Sequence, residues 1–141
     1  MAEERSQNNA TPPQPRRRRI IAALTGATGS ILGIKILIAF RRLNIETHLI
    51  ISKWAESTLK YETSYTATNV RALADHVYNN HDMAALIATG PYRVDGMIVV
   101  TCSMKTLAGI NSDLCDTLIA RAAEVMIKER RKPVLAAENV R

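Results

Sequence analysis

The stretch Thr25-Gly26-Ala27-Thr28-Gly29-Ser30 is the part of this sequence best equipped for chemistry. Its glycines let the backbone come close to an anion, and a helix starting at Ser30 would offer that anion unpaired N–H groups and the positive end of its dipole. Gly33 lies one turn into that helix. The implied chemistry is the cradling of a phosphate, with a merely structural turn as the plainer alternative; the position between a strand-like run and a helical one favours the phosphate. A second polar loop, Thr101-Cys102-Ser103-Met104-Lys105-Thr106, gathers hydroxyls, a thiol and an ammonium group after an apolar run. By itself it reads as helix capping by Ser103 or Thr106 beside an inert Cys102. Taken with the glycine turn, it reads as the second wall of one polar pocket.

The residues after the second strand narrow the nature of the ligand. A nicotinamide-dependent reductase needs a carboxylate there for the adenosine ribose. The sequence offers Ile51-Ser52-Lys53-Trp54, with Glu46 ahead of the strand instead, and it has no Tyr-x-x-x-Lys pair. Ser52 and Lys53 suit a phosphate or a ribityl chain, which points to flavin mononucleotide (FMN). On the long helix near the C-terminus, Arg121 and Lys128 are seven apart and share a face, so both could reach one phosphate, although spacing alone leaves an ordinary solvated face equally open. His48, His76 and His81 have no ligand-like spacing to one another or to Cys102 and Cys115, so they read as surface or capping residues and no metal is expected.

These loops need elements to hold them. Ile20 to Leu24 is apolar without alternation, as in a strand buried on both faces. From Ser30 the apolar period becomes helical and ends on Arg41 and Arg42, which match the dipole at a helix C-terminus. Thr47 to Ile51 is a second strand, Glu56 to Tyr61 and Thr68 to His76 read as short helices, and Asn79 to Arg93 reads as a long surface loop. Gly96 to Val100 is a third strand. Leu114 through Met126 forms an amphipathic helix with a basic end, and a last strand runs from Pro133 through Ala137. Strands alternating with helices imply an α/β fold, a doubly wound, mostly parallel, Rossmann-like sheet. Ligands in such sheets bind at the carboxyl ends of the strands, which selects the loops at Thr25, Ser52 and Thr101.

At 141 residues and 47% hydrophobic composition, one domain is expected, preceded by a disordered basic tail over residues 1–19. The net charge of +6 falls to +3 once that tail, with its five basic and two acidic residues, is set aside. The remaining charge is mixed along the chain, which argues against nucleic-acid binding. No apolar stretch is long enough to cross a bilayer. The tail lacks an apolar core and begins with Glu3 and Glu4, which argues against a secretory signal. Two unpaired cysteines fit a reducing compartment, cytoplasmic or mitochondrial.

Taken together, Leu24-Thr25-Gly26-Ala27-Thr28-Gly29, Glu46-Thr47-His48-Leu49-Ile50-Ile51-Ser52-Lys53-Trp54-Ala55, Asp95-Gly96-Met97-Ile98-Val99-Val100, Cys102-Ser103-Met104-Lys105-Thr106-Leu107 and Arg121-Ala122-Ala123-Glu124-Val125 through Lys128-Glu129-Arg130-Arg131 resemble the flavin prenyltransferases, the family of UbiX and fungal phenylacrylic acid decarboxylase. The resemblance runs in register from about Arg19 to Leu135. It implies a metal-free transferase that joins the dimethylallyl group of dimethylallyl phosphate to N5 and C6 of reduced FMN, making prenylated FMN for a UbiD-like decarboxylase. By the same resemblance, Gly26, Ala27, Thr28, Ser52, Ser103, Met104, Lys105 and Thr106 would hold FMN. Glu62, Arg121 and Lys128 would face the prenyl phosphate, and a homododecamer would be the assembly.

The sequence also departs from that family. Ala136-Ala137-Glu138-Asn139-Val140-Arg141 stands where Val-Arg-Glu-Thr-Pro is usual, so Glu138 is aligned with an FMN-contacting Arg. Ala88-Thr89-Gly90-Pro91-Tyr92 replaces Ser-Gly-Ser-Phe, and Thr101 replaces a proline. A Tyr and a basic residue for the prenyl phosphate, with a closing helix, fall in sequence not present, so the domain is expected to lack its last elements. The other readings are therefore an inactive, truncated homologue that binds flavin or joins oligomers, and an NAD(P)-dependent reductase.

Overall fold

A computed structural model describes residues 16–26, 29–102, 110, 117–131 and 133–137. The apolar run after the basic segment forms β1 (Arg19–Leu24), and the helical period after the glycine turn forms α1 (Ser30–Arg42). Next come β2 (Glu46–Ile51), α2 (Lys53–Glu62), α3 (Ala67–Arg71), β3 (His76–Asn79), a single 3₁₀ turn at Leu86–Ala88, β4 (Gly96–Cys102), α4 (Leu118–Lys128) and β5 (Pro133–Ala137). The five strands make one sheet in the order β3-β2-β1-β4-β5, with every neighbouring pair parallel. This is the doubly wound topology expected from the alternation of elements, with β1 at its centre.

Why both faces are covered is visible within β1. Ala22 and Leu24 pack on one side with Ile34 and Leu37 of α1 and with Ala55 and Leu59 of α2. Ile21 and Ala23 pack on the other side with Leu118, Ile119, Ala122 and Met126 of α4. A strand buried on both faces cannot alternate polar and apolar residues, which explains the unbroken run in the sequence. Gly33 lets α1 rest directly on β1, since a Cβ there would lie 2.5 Å from a methyl carbon of Leu24.

Three expectations need correction. The helix read over Thr68 to His76 stops at Arg71, held at its start by a capping box between Thr66 and Asn69, and His76–Asn79 is the edge strand β3. Pairing with β2 supplies this short segment with backbone partners, and that long-range contact outweighs a weak local helical pattern. Second, the segment from Asn79 to Arg93 is more than a surface loop, because Ala85, Ile87 and Ala88 are buried in the α4-side core. Third, the basic tail ends earlier than Arg19. Arg19 is the first residue of β1, while Arg16 and Arg17 bridge to Asp95 and Asp75 across the amino edge of the sheet. Residues 1–15 lie outside the described residues.

Candidate functional site

Parallel pairing sets Leu24 opposite both Ile51 and Val100, so β1 and β2 end level and β4 runs two residues further, to Cys102. Thr25-Gly26, Ser52 and the end of β4 at Cys102 therefore lie at one end of the sheet, where the strand order reverses about β1 and ligands of such folds bind. Ser52 N–H donates to the carbonyl of Leu24 at 3.1 Å, which ties the second loop to the first.

The glycine loop is built by close contact. A Cβ at Gly26 would fall 2.5 Å from Trp54 Cβ, so this loop lies against the first turn of α2 and admits only glycine there. Thr58 Oγ1 donates to the carbonyls of Gly26 and Trp54 at 3.1 and 2.9 Å and fixes the same junction. Gly29 caps α1 with φ 93°, a left-handed conformation suited to glycine.

The exposed N–H groups at the start of α1 carry an anion already. Gly29 N and Ser30 N donate to Glu62 Oε2 at 2.9 and 3.2 Å. The Glu62 carboxylate thus satisfies the first donors of α1, as an anion at a helix start does. Ser52 Oγ accepts from Ala55 N at 3.1 Å and so caps α2. A hydroxyl that accepts this bond still has a proton to donate to a ligand.

Of the residues singled out in the sequence, Gly26, Ser52 and Glu62 are brought together by β1, β2 and α2. Ala27, Thr28, Ser103, Met104, Lys105 and Thr106 lie outside the described residues, although β4 leads directly to the last four. Cys102 ends that strand fully buried, and burial pushes its thiol up from the ordinary range, which suits a packing residue rather than a nucleophile. Arg121 and Lys128 are both exposed on α4, across the sheet from α1 and α2. Lys128 Nζ is held 2.7 Å from Glu124 Oε1, one turn earlier.

The structure adds residues that the sequence pattern did not reveal. A polar cavity of about 540 Å³ opens at the carboxyl ends of β2 and β3, lined by Ser52, Lys53, Trp54, Asn79, Asn80 and His81 among others. The Arg71–Glu56 ion pair borders it. Reading His76 as the end of a helix concealed that Asn79 and Asn80 stand at the end of a strand beside Ser52. Asn80 also reaches α4: its carbonyl accepts from Leu118 N at 2.8 Å and its Oδ1 accepts from Ile119 N at 3.0 Å. Through this residue the cavity is coupled to the helix that carries Arg121.

The histidines are not all surface residues. His48 is 1% exposed, while His76 and His81 are exposed. His48 and His76 stack with ring centroids 4.5 Å apart, at the end of the sheet away from the glycine loop.

Comparison with known proteins agrees with this geometry. A probable UbiX-like flavin prenyltransferase of Escherichia coli is 53% identical over 123 residues, covering 86% of this chain and 62% of its own. The mitochondrial flavin prenyltransferase PAD1 of Saccharomyces cerevisiae is 47% identical over 139 residues, covering 99% of this chain and 57% of its own. The chain thus spans roughly three fifths of the length of these relatives. Among solved structures, AnUbiX (PadA1) in complex with FMN and dimethylallyl pyrophosphate superposes with a TM-score of 0.87 at 66% identity, covering 89% of this chain and 66% of that one. A dodecameric FMN-dependent UbiX-like decarboxylase of Escherichia coli O157:H7 superposes at 0.85 with 51% identity, covering 86% and 67%. An FMN-dependent cysteine decarboxylase, TvaF, shares only the fold, at 14% identity and a TM-score of 0.63. The profile of the Flavoprotein family matches residues 8–139, and the chain belongs to that family.

Proposed function

We propose that the chain binds FMN at the ends of β1, β2 and β4 and serves the transfer of a dimethylallyl group from dimethylallyl phosphate to reduced FMN, the product passing to a UbiD-like decarboxylase. The observation that carries this reading is the meeting of Gly26 and Ser52 at the ends of β1 and β2, tied by the Ser52 N–H to the Leu24 carbonyl, in a chain 47–66% identical to flavin prenyltransferase relatives.

FMN supplies the reduced ring that receives the prenyl group; the rest falls to the protein. Gly26, Ala27, Thr28 and Ser52 with Ser103, Met104, Lys105 and Thr106 bind and orient the cofactor. Glu62 clamps the glycine loop through Gly29 and Ser30 and, with Arg121 and Lys128, faces the prenyl phosphate. Arg121 and Lys128 supply positive charge to the phosphate as the allylic C–O bond breaks. Lys128 then exchanges Glu124 for the phosphate. A homo-oligomer is the proposed assembly, supported by the dodecameric relative and by exposed Trp54, Tyr61 and Leu43, which are apolar surface that a second copy would cover. Among the described residues no helix is long and apolar enough to cross a membrane, and a cytoplasmic or mitochondrial location is proposed.

Incubating the protein with reduced FMN and dimethylallyl phosphate tests the transfer, with the product read by mass. Prenylated FMN supports the full reading. Bound but unmodified FMN would support instead an inactive relative that retains the cofactor, and a nicotinamide-driven spectral change would return the reductase reading.

A further inference from the structure

At the amino end of the sheet, away from the proposed flavin site, strand register sets His48 on β2 opposite His76, the first residue of β3. Both Nε2 atoms face one carboxylate: His48 Nε2 lies 3.1 Å from Glu46 Oε2, and His76 Nε2 lies 3.9 Å from Glu46 Oε1. The second distance is too long for a hydrogen bond. It leaves a gap between His76 and a carboxylate oxygen, in a group whose ligand atoms all lie within 4.8 Å of one another.

We propose that Glu46, His48 and His76 form a binding site for a divalent transition-metal ion of the zinc class, with two imidazole Nε2 atoms and Glu46 Oε1 as ligands and water completing a tetrahedron.

Zinc–nitrogen and zinc–oxygen bonds of about 2.0–2.2 Å bring tetrahedral ligand atoms to roughly 3.3 Å from one another. The ligand atoms of the three residues lie within 4.8 Å of one another, and His76 must turn out of its stack on His48 and close on Glu46 Oε1 from 3.9 Å. It can do so because it is half exposed at the start of an edge strand. The exposure of His76 also provides the entry path, while His48 is buried beneath it.

The surroundings support the three ligands. His48 Nδ1 is 2.9 Å from the Tyr78 hydroxyl. When Nε2 turns to the metal, the ring proton moves to Nδ1 and Tyr78 Oη accepts it, the outer partner that ligating histidines commonly have. Arg19 occupies only Glu46 Oε2, at 2.7 Å, and is held independently by the carbonyl of Arg93 and the ring of Tyr92. Glu46 Oε1 remains on the His76 side.

The test is a zinc titration of the metal-stripped full chain against a chromophoric chelator, repeated for His76→Ala, Tyr78→Phe and His81→Ala. The wild type is expected to take up zinc at one saturable site. His76→Ala and Tyr78→Phe should each weaken that site by about tenfold or more, in line with the loss of a ligand or of its outer partner. His81→Ala should leave it unchanged. Absence of a saturable site in the folded wild type, wild-type affinity in His76→Ala, or loss in His81→Ala would overturn the proposal. Circular dichroism confirms that each variant is folded, and an FMN titration of the same samples keeps this result separate from the flavin reading.

Discussion

At the scale of single residues, Gly26 and Glu62 divide the work of the glycine loop. Gly26 is required because the loop abuts Trp54, and an added methyl at 2.5 Å from Trp54 Cβ forces either the loop or α2 to move. Gly26→Ala is expected to cost about 1–3 kcal/mol by overpacking, read as a lower urea midpoint. Glu62 satisfies two N–H groups that the start of α1 would otherwise leave unpaired. Glu62→Ala should destabilise the fold by roughly 1 kcal/mol, and Glu62→Gln by less, because the amide oxygen still accepts a bond. The glycines and Ser52 were legible in the sequence since their roles depend on local backbone geometry. The clamp by Glu62 was not, because it requires α2 to fold back onto α1. Asp95 gives the residue scale its pH dependence. Burial raises its carboxyl, but the Arg19 N–H at 2.8 Å and the neighbouring guanidinium of Arg16 outweigh this and hold it below the usual 3.8. A depressed carboxylate stabilises the fold above the unfolded value and loses that contribution as pH falls through the folded one. Unfolding midpoints taken on either side of about pH 4 should fall on acidification, and the fall should be smaller in Asp95→Asn.

At the scale of elements, β3 and α4 are where sequence pattern and structure part company or are joined by distant contacts. His76–Asn79 has four residues, two of them flanking a half-buried Tyr78, too few for a pattern to outweigh the helical look of the residues before it. Its partners come from β2, which no local window contains. The same misreading hid Asn80, which closes the N-terminus of α4 from a distant segment while Thr117 Oγ1 closes it locally, accepting from Ala120 N at 3.3 Å. α4 itself was plain in the sequence because six of its eleven residues are buried on one stripe. Thr117→Ala is expected to cost about 1 kcal/mol. If Arg121 acts on the prenyl phosphate, Asn80→Ala should raise the apparent KM for dimethylallyl phosphate more than it lowers FMN affinity, in a binding and turnover assay.

For the whole molecule, the order β3-β2-β1-β4-β5 brings the carboxyl ends of β1, β2 and β4, far apart in sequence, side by side. The fold class could be read from alternating strand and helix patterns, because burial on both faces leaves unbroken apolar runs in β1 and β2. The proposed assembly could not, since Trp54 and Tyr61 are exposed and whatever would cover them lies outside the chain's own fold. Light scattering should accordingly find an oligomer rather than a monomer. The claim on which the function rests is tested most directly by titrating the folded protein with FMN and monitoring quenching of flavin fluorescence. Saturable quenching in the wild type, weakened by about tenfold or more in Gly26→Ala, is the expected result. A folded wild-type protein that shows no saturable quenching would contradict the convergence of these three loops on a flavin.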